Sequence, residues 1–300
     1  MILAIIGIVL GSLAFLYLIF IICFSIRIVH MAYRHKHQTR AFQVKRFHFD
    51  EDKDFLAFHP EPLTFVMSDG YVINGDYYDN NSNLIMILVH GHGSTRESMY
   101  KYVPLYKKMG FSILRYDQRG HGDNVDTFST MGRQEALDLK EIVDQVRERY
   151  PNKEIALTGM SLGGATISLV TKYDQNFKLL VVDCAYSSVE SLAAGFAKII
   201  HQPGFLFILP CRLFFRLKYG FSMKEDRVDL ALRNNHVPTL HTHGKKDTYV
   251  WPKNMETLYK NNAAEIKEKH YLPNGIHAND IVDDPLLYEE IFRNFYAKVQ

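Results

Sequence analysis

Between Met1 and Ile26 the chain carries no charged side chain, and 22 of those 26 residues are apolar, interrupted by Gly7, Gly11, Ser12 and Ser25. As a helix this stretch spans roughly 39 Å at about 1.5 Å per residue, enough to cross a hydrocarbon core of about 30 Å with some tilt. A cleaved secretory signal is a poor match. No basic residue precedes the run, the run is too long for a signal's apolar core, and no A-x-A site lies beyond it. Residues 1–27 are therefore expected to form an uncleaved transmembrane anchor. The run shares no periodic pattern with the rest of the chain, so its removal is expected to leave a soluble domain.

After the run come Arg27, Arg34, Lys36, Arg40, Lys45 and Arg46, with no acidic residue before Asp50. Positive residues stay on the cytoplasmic side, so the body of the protein is expected to face the cytosol. Residues 28–59 read as a basic juxtamembrane linker. With Tyr33, Phe42 and Phe47 interleaved, this linker suits a stop-transfer flank or a contact with anionic headgroups. The whole chain is otherwise balanced, with 35 Lys+Arg against 33 Asp+Glu in 300 residues. That balance excludes an electrostatic nucleic-acid binder, which needs a basic patch to displace counterions from phosphate. Cys23, Cys184 and Cys211 are odd in number and lack C-x-x-C spacing, which excludes a disulfide framework and a zinc ribbon.

From about residue 60 onward, strand and helix patterns alternate. Leu63–Met67 and Tyr71–Tyr78 read as a hairpin around Ser68-Asp69-Gly70. Leu84–Val89 is a continuous apolar run, as expected for a strand buried on both faces, and Ser112–Asp117, Glu154–Gly159 and Lys178–Asp183 are similar. Arg133–Tyr150 sets Ala136, Leu139, Val143 and Val146 on one helical face and stops at Pro151. The expectation is an α/β fold, with a mostly parallel central sheet covered by helices over residues 60–300. Residues 188–235 break the rhythm with aromatic, helical segments punctuated by Pro203 and Pro210, and read as a helical lid; an ordinary crossover helix pair is the plainer alternative.

Gly159-Met160-Ser161-Leu162-Gly163 directly follows a predicted strand and opens a predicted helix. G-x-S-x-G in that setting is a nucleophile elbow, in which near-absent side chains on either side of a strained serine let strand and helix approach. A base and an orienting acid are then required downstream, in the order serine, acid, histidine. Asp247 ends one strand-and-loop segment and His277 the next, giving Ser161, Asp247 and His277 as candidate catalytic residues; Asp183, at an earlier strand end, is a rival acid. His90-Gly91-His92-Gly93 follows the buried run Leu84–Val89, where an oxyanion-binding loop belongs, so the backbone N–H groups of His92 and Leu162 are the candidate oxyanion donors. His90-x-His92 and His241-x-His243 also suit metal ligation, but no carboxylate-rich spacing supports them. No metal and no cofactor are expected.

These residues resemble the α/β-hydrolase superfamily from about residue 60 to residue 300. The carriers of the resemblance are His90-Gly91, the turn Asp117-Gln118-Arg119-Gly120-His121-Gly122, the Gly159–Gly163 elbow, and the acid and histidine loops. More narrowly, the chain is similar to bacterial membrane-anchored hydrolases of the serine-aminopeptidase-like and cinnamoyl-esterase-like group. The resemblance implies that the Asp117–Gly122 turn is structural and braced by Arg119; Asn124 stands where a serine is usual. The implied chemistry is acyl transfer from an ester through Ser161, of esterase, lipase or thioesterase type. Aromatic lid and anchor together favour an apolar acyl substrate, a small-molecule or lipid ester. Two alternatives remain: an aminopeptidase, for which Glu190, Glu225 or Asp226 would hold the substrate amine, and a non-catalytic membrane scaffold of the same fold.

Overall fold

A computed structural model describes residues 1–33 and 58–300. Arg34, Lys36, Arg40, Lys45 and Arg46, with most of the expected linker, lie outside the described residues. Strands β1 (Glu61–Val66), β2 (Val72–Tyr78), β3 (Leu84–Val89), β4 (Ser112–Tyr116), β5 (Glu154–Met160), β6 (Leu180–Asp183), β7 (Thr239–Gly244) and β8 (Lys267–Leu272) form one sheet, ordered β1-β2-β4-β3-β5-β6-β7-β8. The expected hairpin is present, with Thr64 opposite Asn74. β2 also pairs antiparallel with β4, and the strands from β4 to β8 are parallel.

The apolar run of β3 is explained by its place inside the sheet. Ile85, Ile87 and Val89 join the core beneath α3 (Arg133–Arg149) and α4 (Leu162–Val170). Met86 and Leu88 join the opposite core beneath α2 (Val103–Lys108) and α8 (Pro285–Tyr296). Successive side chains point to opposite faces, so a strand covered on both must be apolar throughout. In α3, Ala136, Leu139, Val143 and Val146 are all buried, as their spacing predicts.

The irregular segment between β6 and β7 folds into α5 (Val189–Ile199) and α6 (Phe205–Tyr219). Ser188 caps α5 by accepting the N–H of Ser191 at 3.1 Å. α6 ends at Gly220, whose φ of 81° suits a residue without Cβ. After β7 comes α7 (Lys253–Asn261).

The apolar N-terminal stretch is one helix, α1 (Ile2–Tyr33), which continues past the expected end of the anchor at residue 27. Its last turns are not independent of the domain. Ile21, Ser25, Ile28 and Val29 are buried, and Ile28 and Val29 belong to the same core as the sheet. Residues 21–29, most of them within the stretch expected to be separable from the domain, thus pack on α6.

Candidate active site

β5 ends at Met160 and α4 begins at Leu162, leaving Ser161 in the turn between them with φ 55° and ψ −112°. A non-glycine residue in that region costs on the order of 1–3 kcal/mol and persists only where its surroundings impose it. The flanking glycines show what imposes it. A Cβ on Gly163 would lie 1.9 Å from the Val89 carbonyl oxygen, and one on Gly159 would lie 2.2 Å from that of Gly163. Ser161 N–H donates to the Asp183 carbonyl at 2.8 Å, which ties the turn to the end of β6.

His277 follows β8 and Asp247 follows β7, so both loops leave the same edge of the sheet as the elbow. His277 Nε2 lies 3.1 Å from Ser161 Oγ, and His277 Nδ1 lies 2.7 Å from Asp247 Oδ2. Three residues far apart in sequence thus form one hydrogen-bonded line. Asp183 is turned elsewhere: its carboxylate accepts hydrogen bonds from the Tyr102 hydroxyl and, at 2.9 Å, from Thr242 Oγ1. Of the two candidate acids, Asp247 is the one that meets His277.

Asp247 is more heavily held than the sequence suggests. Its Oδ1 accepts the N–H groups of Tyr249 at 2.9 Å and Val250 at 2.8 Å. Its Oδ2 is shared by His277 and His243, the latter at 3.2 Å. Burial opposes ionisation of Asp247, but hydrogen bonds from His243 and His277 outweigh it and lower the carboxyl to about 2. His243, read from the sequence only as a histidine near the acid loop, is a second support of that carboxylate. The available signal was its position at the end of β7, four residues before Asp247.

The loop after β3 lies against the elbow, since a Cβ on Gly91 would sit 3.5 Å from Ser161 Cβ. Within that loop His90 is structural: its Nε2 accepts the Gln118 N–H at 2.8 Å and its carbonyl accepts from Gln118 Nε2 at 2.6 Å. His92 and Ser161 line one cavity of about 50 Å³, together with Leu192 and Phe196 of α5. Tyr249 bridges its wall to the histidine, with its ring 4.9 Å from that of His277 and 5.4 Å from that of Phe196. Neither Tyr249 nor Phe196 was singled out from the sequence. Leu162 N–H is at the first turn of α4, where helical N–H groups lack partners within the helix.

His241 is buried and held by Asn262 Nδ2 at 3.1 Å; burial and the Lys267 charge lower its pKa to about 3, so it stays neutral. In the turn after β4, Arg119 acts as the brace that the resemblance implies, with its Nε and Nη2 each 2.8 Å from the Asp138 carboxylate of α3. Asp117 is held by the Arg96 guanidinium and by the Arg96 N–H at 2.8 Å. Asn124 fills the usual serine position by donating to the Asp117 carbonyl at 2.7 Å and accepting the Asn74 N–H at 2.9 Å.

Comparison with known proteins agrees with this architecture. The serine aminopeptidase S33 family matches residues 80–205, a span that contains the His92 loop and the Ser161 elbow. YqkD of Bacillus subtilis is 24% identical over 283 residues, covering 92% of each chain. The yeast membrane protein YNL320W of Saccharomyces cerevisiae is 22% identical over 240 residues, 78% of each chain. The esterase Pf2001 of Pyrococcus furiosus superposes with a TM-score of 0.68 at 23% identity, covering 82% of this chain and 93% of the esterase. With its sheet order, its strained serine elbow and these likenesses, the chain has the α/β-hydrolase fold.

Proposed function

We propose that the chain is a membrane-anchored serine hydrolase that cleaves esters of an apolar acyl group by acyl transfer to Ser161. The observation that carries this reading is the line Asp247–His277–Ser161, joined at 2.7 and 3.1 Å and ending in the cavity lined by Leu192 and Phe196. In that arrangement Asp247 keeps the proton of His277 on Nδ1, leaving Nε2 free to accept the Ser161 proton as Oγ attacks the ester carbonyl. His277 then returns the proton to the leaving alkoxide, and a water activated by the same histidine releases the acid. The developing oxyanion is assigned to the N–H groups of His92 and Leu162, each contributing roughly 2.7–4 kcal/mol.

A cavity of about 50 Å³ is much smaller than the roughly 300–1,000 Å³ typical of ligand pockets. A wall must give way for substrate to enter, and α5, which supplies Leu192 and Phe196, is proposed with α6 as the lid that does so. The aminopeptidase reading gains no support from the acidic residues it would use. Glu190 is paired with Arg212 at 2.5 Å, and Arg133 lies 2.7 Å from Glu225 and 4.0 Å from Asp226. The anchor reading rests on α1, and Arg27 with the basic stretch after it favours a catalytic domain on the cytosolic face.

Ser161→Ala tests the reading directly. The variant should lose p-nitrophenyl ester hydrolysis by at least about a thousandfold and lose labelling by a fluorophosphonate probe, with the thermal midpoint preserved. Retention of most activity would remove Ser161 from the role, and aminoacyl anilides turned over faster than esters would favour the peptidase.

A further inference from the structure

Helix α6 carries two apolar stripes on opposite sides. Phe207, Cys211 and Phe215, spaced by four, are fully buried, with Phe207 packed against Ile21 of α1 and Ala197 of α5. Phe205, Leu209, Leu213 and Leu217, also spaced by four, are 71, 71, 56 and 73% exposed. Scattered exposed leucines are ordinary, but four in line along one helix form a continuous apolar face. A helix resting on a water-facing domain carries polar residues there instead.

The neighbour of α6 says what covers this face. α6 runs parallel to the end of α1: the Phe207 ring lies 6.4 Å from Phe20 and 5.3 Å from Phe24, Cys211 Sγ lies 3.7 Å from the Ser25 carbonyl, and Lys218 Nζ lies 3.4 Å from His30 Nδ1. The uncharged stretch Ile2–Ile26 is roughly 37 Å long at about 1.5 Å per residue, longer than a hydrocarbon core of about 30 Å. Its last turns therefore reach the headgroup boundary, and the first turns of α6 lie beside them. Charge begins at matching levels on both helices, with Arg27 on α1 and Arg212, Arg216 and Lys218 on α6. Between the two helices, Ile26, Val29, Phe214 and Leu217 line an apolar cleft of about 240 Å³ rimmed by His30 and Lys218. Leu217 belongs to both cleft and stripe, so the exposed face of α6 is continuous with α1. Apolar walls topped by the Lys218 ammonium suit an acyl chain beneath an anionic headgroup.

We propose that α6 lies in the headgroup–acyl boundary of the membrane that α1 crosses, with Phe205, Leu209, Leu213 and Leu217 in contact with lipid. The proposal rests on the reading of α1 as a spanning helix. It deepens the functional reading as well. α5 walls the Ser161 cavity through Leu192 and Phe196 and packs on α6, so the cavity lies one helix from the leaflet. The substrate class this favours is an amphiphilic ester dissolved in that leaflet.

The test uses the full chain in phospholipid vesicles containing an anionic lipid, with exposed Cys23 replaced by alanine. Single cysteines at Leu209, Leu213, Leu10 and Tyr173 carry an environment-sensitive fluorophore. Leu10 reports on α1, and exposed Tyr173 reports on the body of the domain. The expected result is blue-shifted emission at Leu209 and Leu213, lost to nitroxide-labelled lipid and insensitive to aqueous iodide, with the reverse at Tyr173. Iodide quenching at Leu209 and Leu213 while Leu10 stays lipid-quenched overturns the proposal and leaves the anchor standing. Iodide quenching at Leu10 overturns the spanning reading itself. Shielding of Leu209 and Leu213 from both quenchers means that protein, such as a second copy of the chain, covers the stripe, and this also overturns the proposal.

Discussion

Replacing Asp247 by asparagine exchanges one oxygen for an amide nitrogen, and the surrounding donors dictate which one. Oδ1 accepts two backbone N–H groups, from Tyr249 and Val250. Placing the amide NH₂ there would set donor against donor, so the asparagine carbonyl keeps that position. Its NH₂ then faces His277 Nδ1, 2.7 Å away in the parent, and that nitrogen must become the acceptor. The imidazole proton moves to Nε2, where it points at Ser161 Oγ and blocks the ring from taking the serine's proton. A wrong-tautomer histidine of this kind costs on the order of 10⁴ in turnover, or about 5.4 kcal/mol at 1.36 kcal/mol per decade. Because Asp247 lines no part of the cavity, the loss should fall on kcat and leave KM nearly unchanged. The assay is steady-state hydrolysis of p-nitrophenyl butyrate, run well below the variant's thermal midpoint. Asp183→Asn is the control, since its carboxylate serves Tyr102 and Thr242. It should lose less than about tenfold, equivalent to 1.36 kcal/mol. If Asp247→Asn keeps more than a tenth of parental turnover, or if Asp183→Asn does the greater damage, the reasoning is wrong.

Other consequences are open to measurement. Gly163→Ala drives a methyl to within 1.9 Å of the Val89 carbonyl oxygen, so the variant should fail to accumulate as a folded domain; a parental thermal midpoint would refute the close approach. Burial beside Asp183 holds the Asp280 carboxyl well above the usual carboxylate range. The unfolded chain releases that proton near the ordinary carboxylate pKa, so this acid's contribution to stability declines as pH rises above it. Asp280→Asn imitates the protonated acid and should raise the thermal midpoint at pH 8 more than at pH 5; an equal shift at both values would count against the raised pKa. Deleting residues 1–20 keeps Ile21–Val29 on α6 and should preserve the thermal midpoint. Deleting residues 1–33 removes Ile28 and Val29 from the core, each contributing roughly 1.5–3 kcal/mol, and should lower it; equal midpoints would refute the shared core.

What the sequence made legible is what depends on short range. The continuous apolar run of β3 and the spacing in α3 follow from the geometry of each element, so a strand covered on both faces and the buried face of a helix can both be read. The elbow is legible because G-x-S-x-G is a local pattern at a strand-to-helix turn, although the clash that requires Gly163 comes from the backbone of Val89 and His90 at the end of neighbouring β3. Asp247 and His277 could be placed because strand C-termini gather at one edge of a parallel sheet. The support around them was not legible. Whether His243 meets Asp247 depends on how one loop of a few residues folds back, and the pairing of Arg96 with Asp117 joins elements 21 positions apart. Charged residues at such separations carry no periodic signature.

The anchor shows a different limit of pattern reading. Ile21, Ser25, Ile28 and Val29 follow i, i+4, i+7, i+8 spacing, the signature of a helix face packed on protein. In a soluble helix that face would stand out against polar neighbours. Here the other faces are apolar too, because lipid and protein interior select the same side chains, and the pattern vanishes into its background. Ser25 is the one irregularity. Its hydroxyl donates to the Ile21 carbonyl at 2.7 Å and lies 3.5 Å from that of Phe207, which places a polar group at a helix contact where it remains satisfied. Hydropathy thus separates apolar from aqueous surroundings but not bilayer from core, and the boundary between anchor and domain falls within a run that composition treats as uniform. The consequence is structural. α1 packs on α6, α6 on α5, and α5 contributes Leu192 and Phe196 to the lining of the cavity at Ser161, so two helices join the N-terminal helix to that lining.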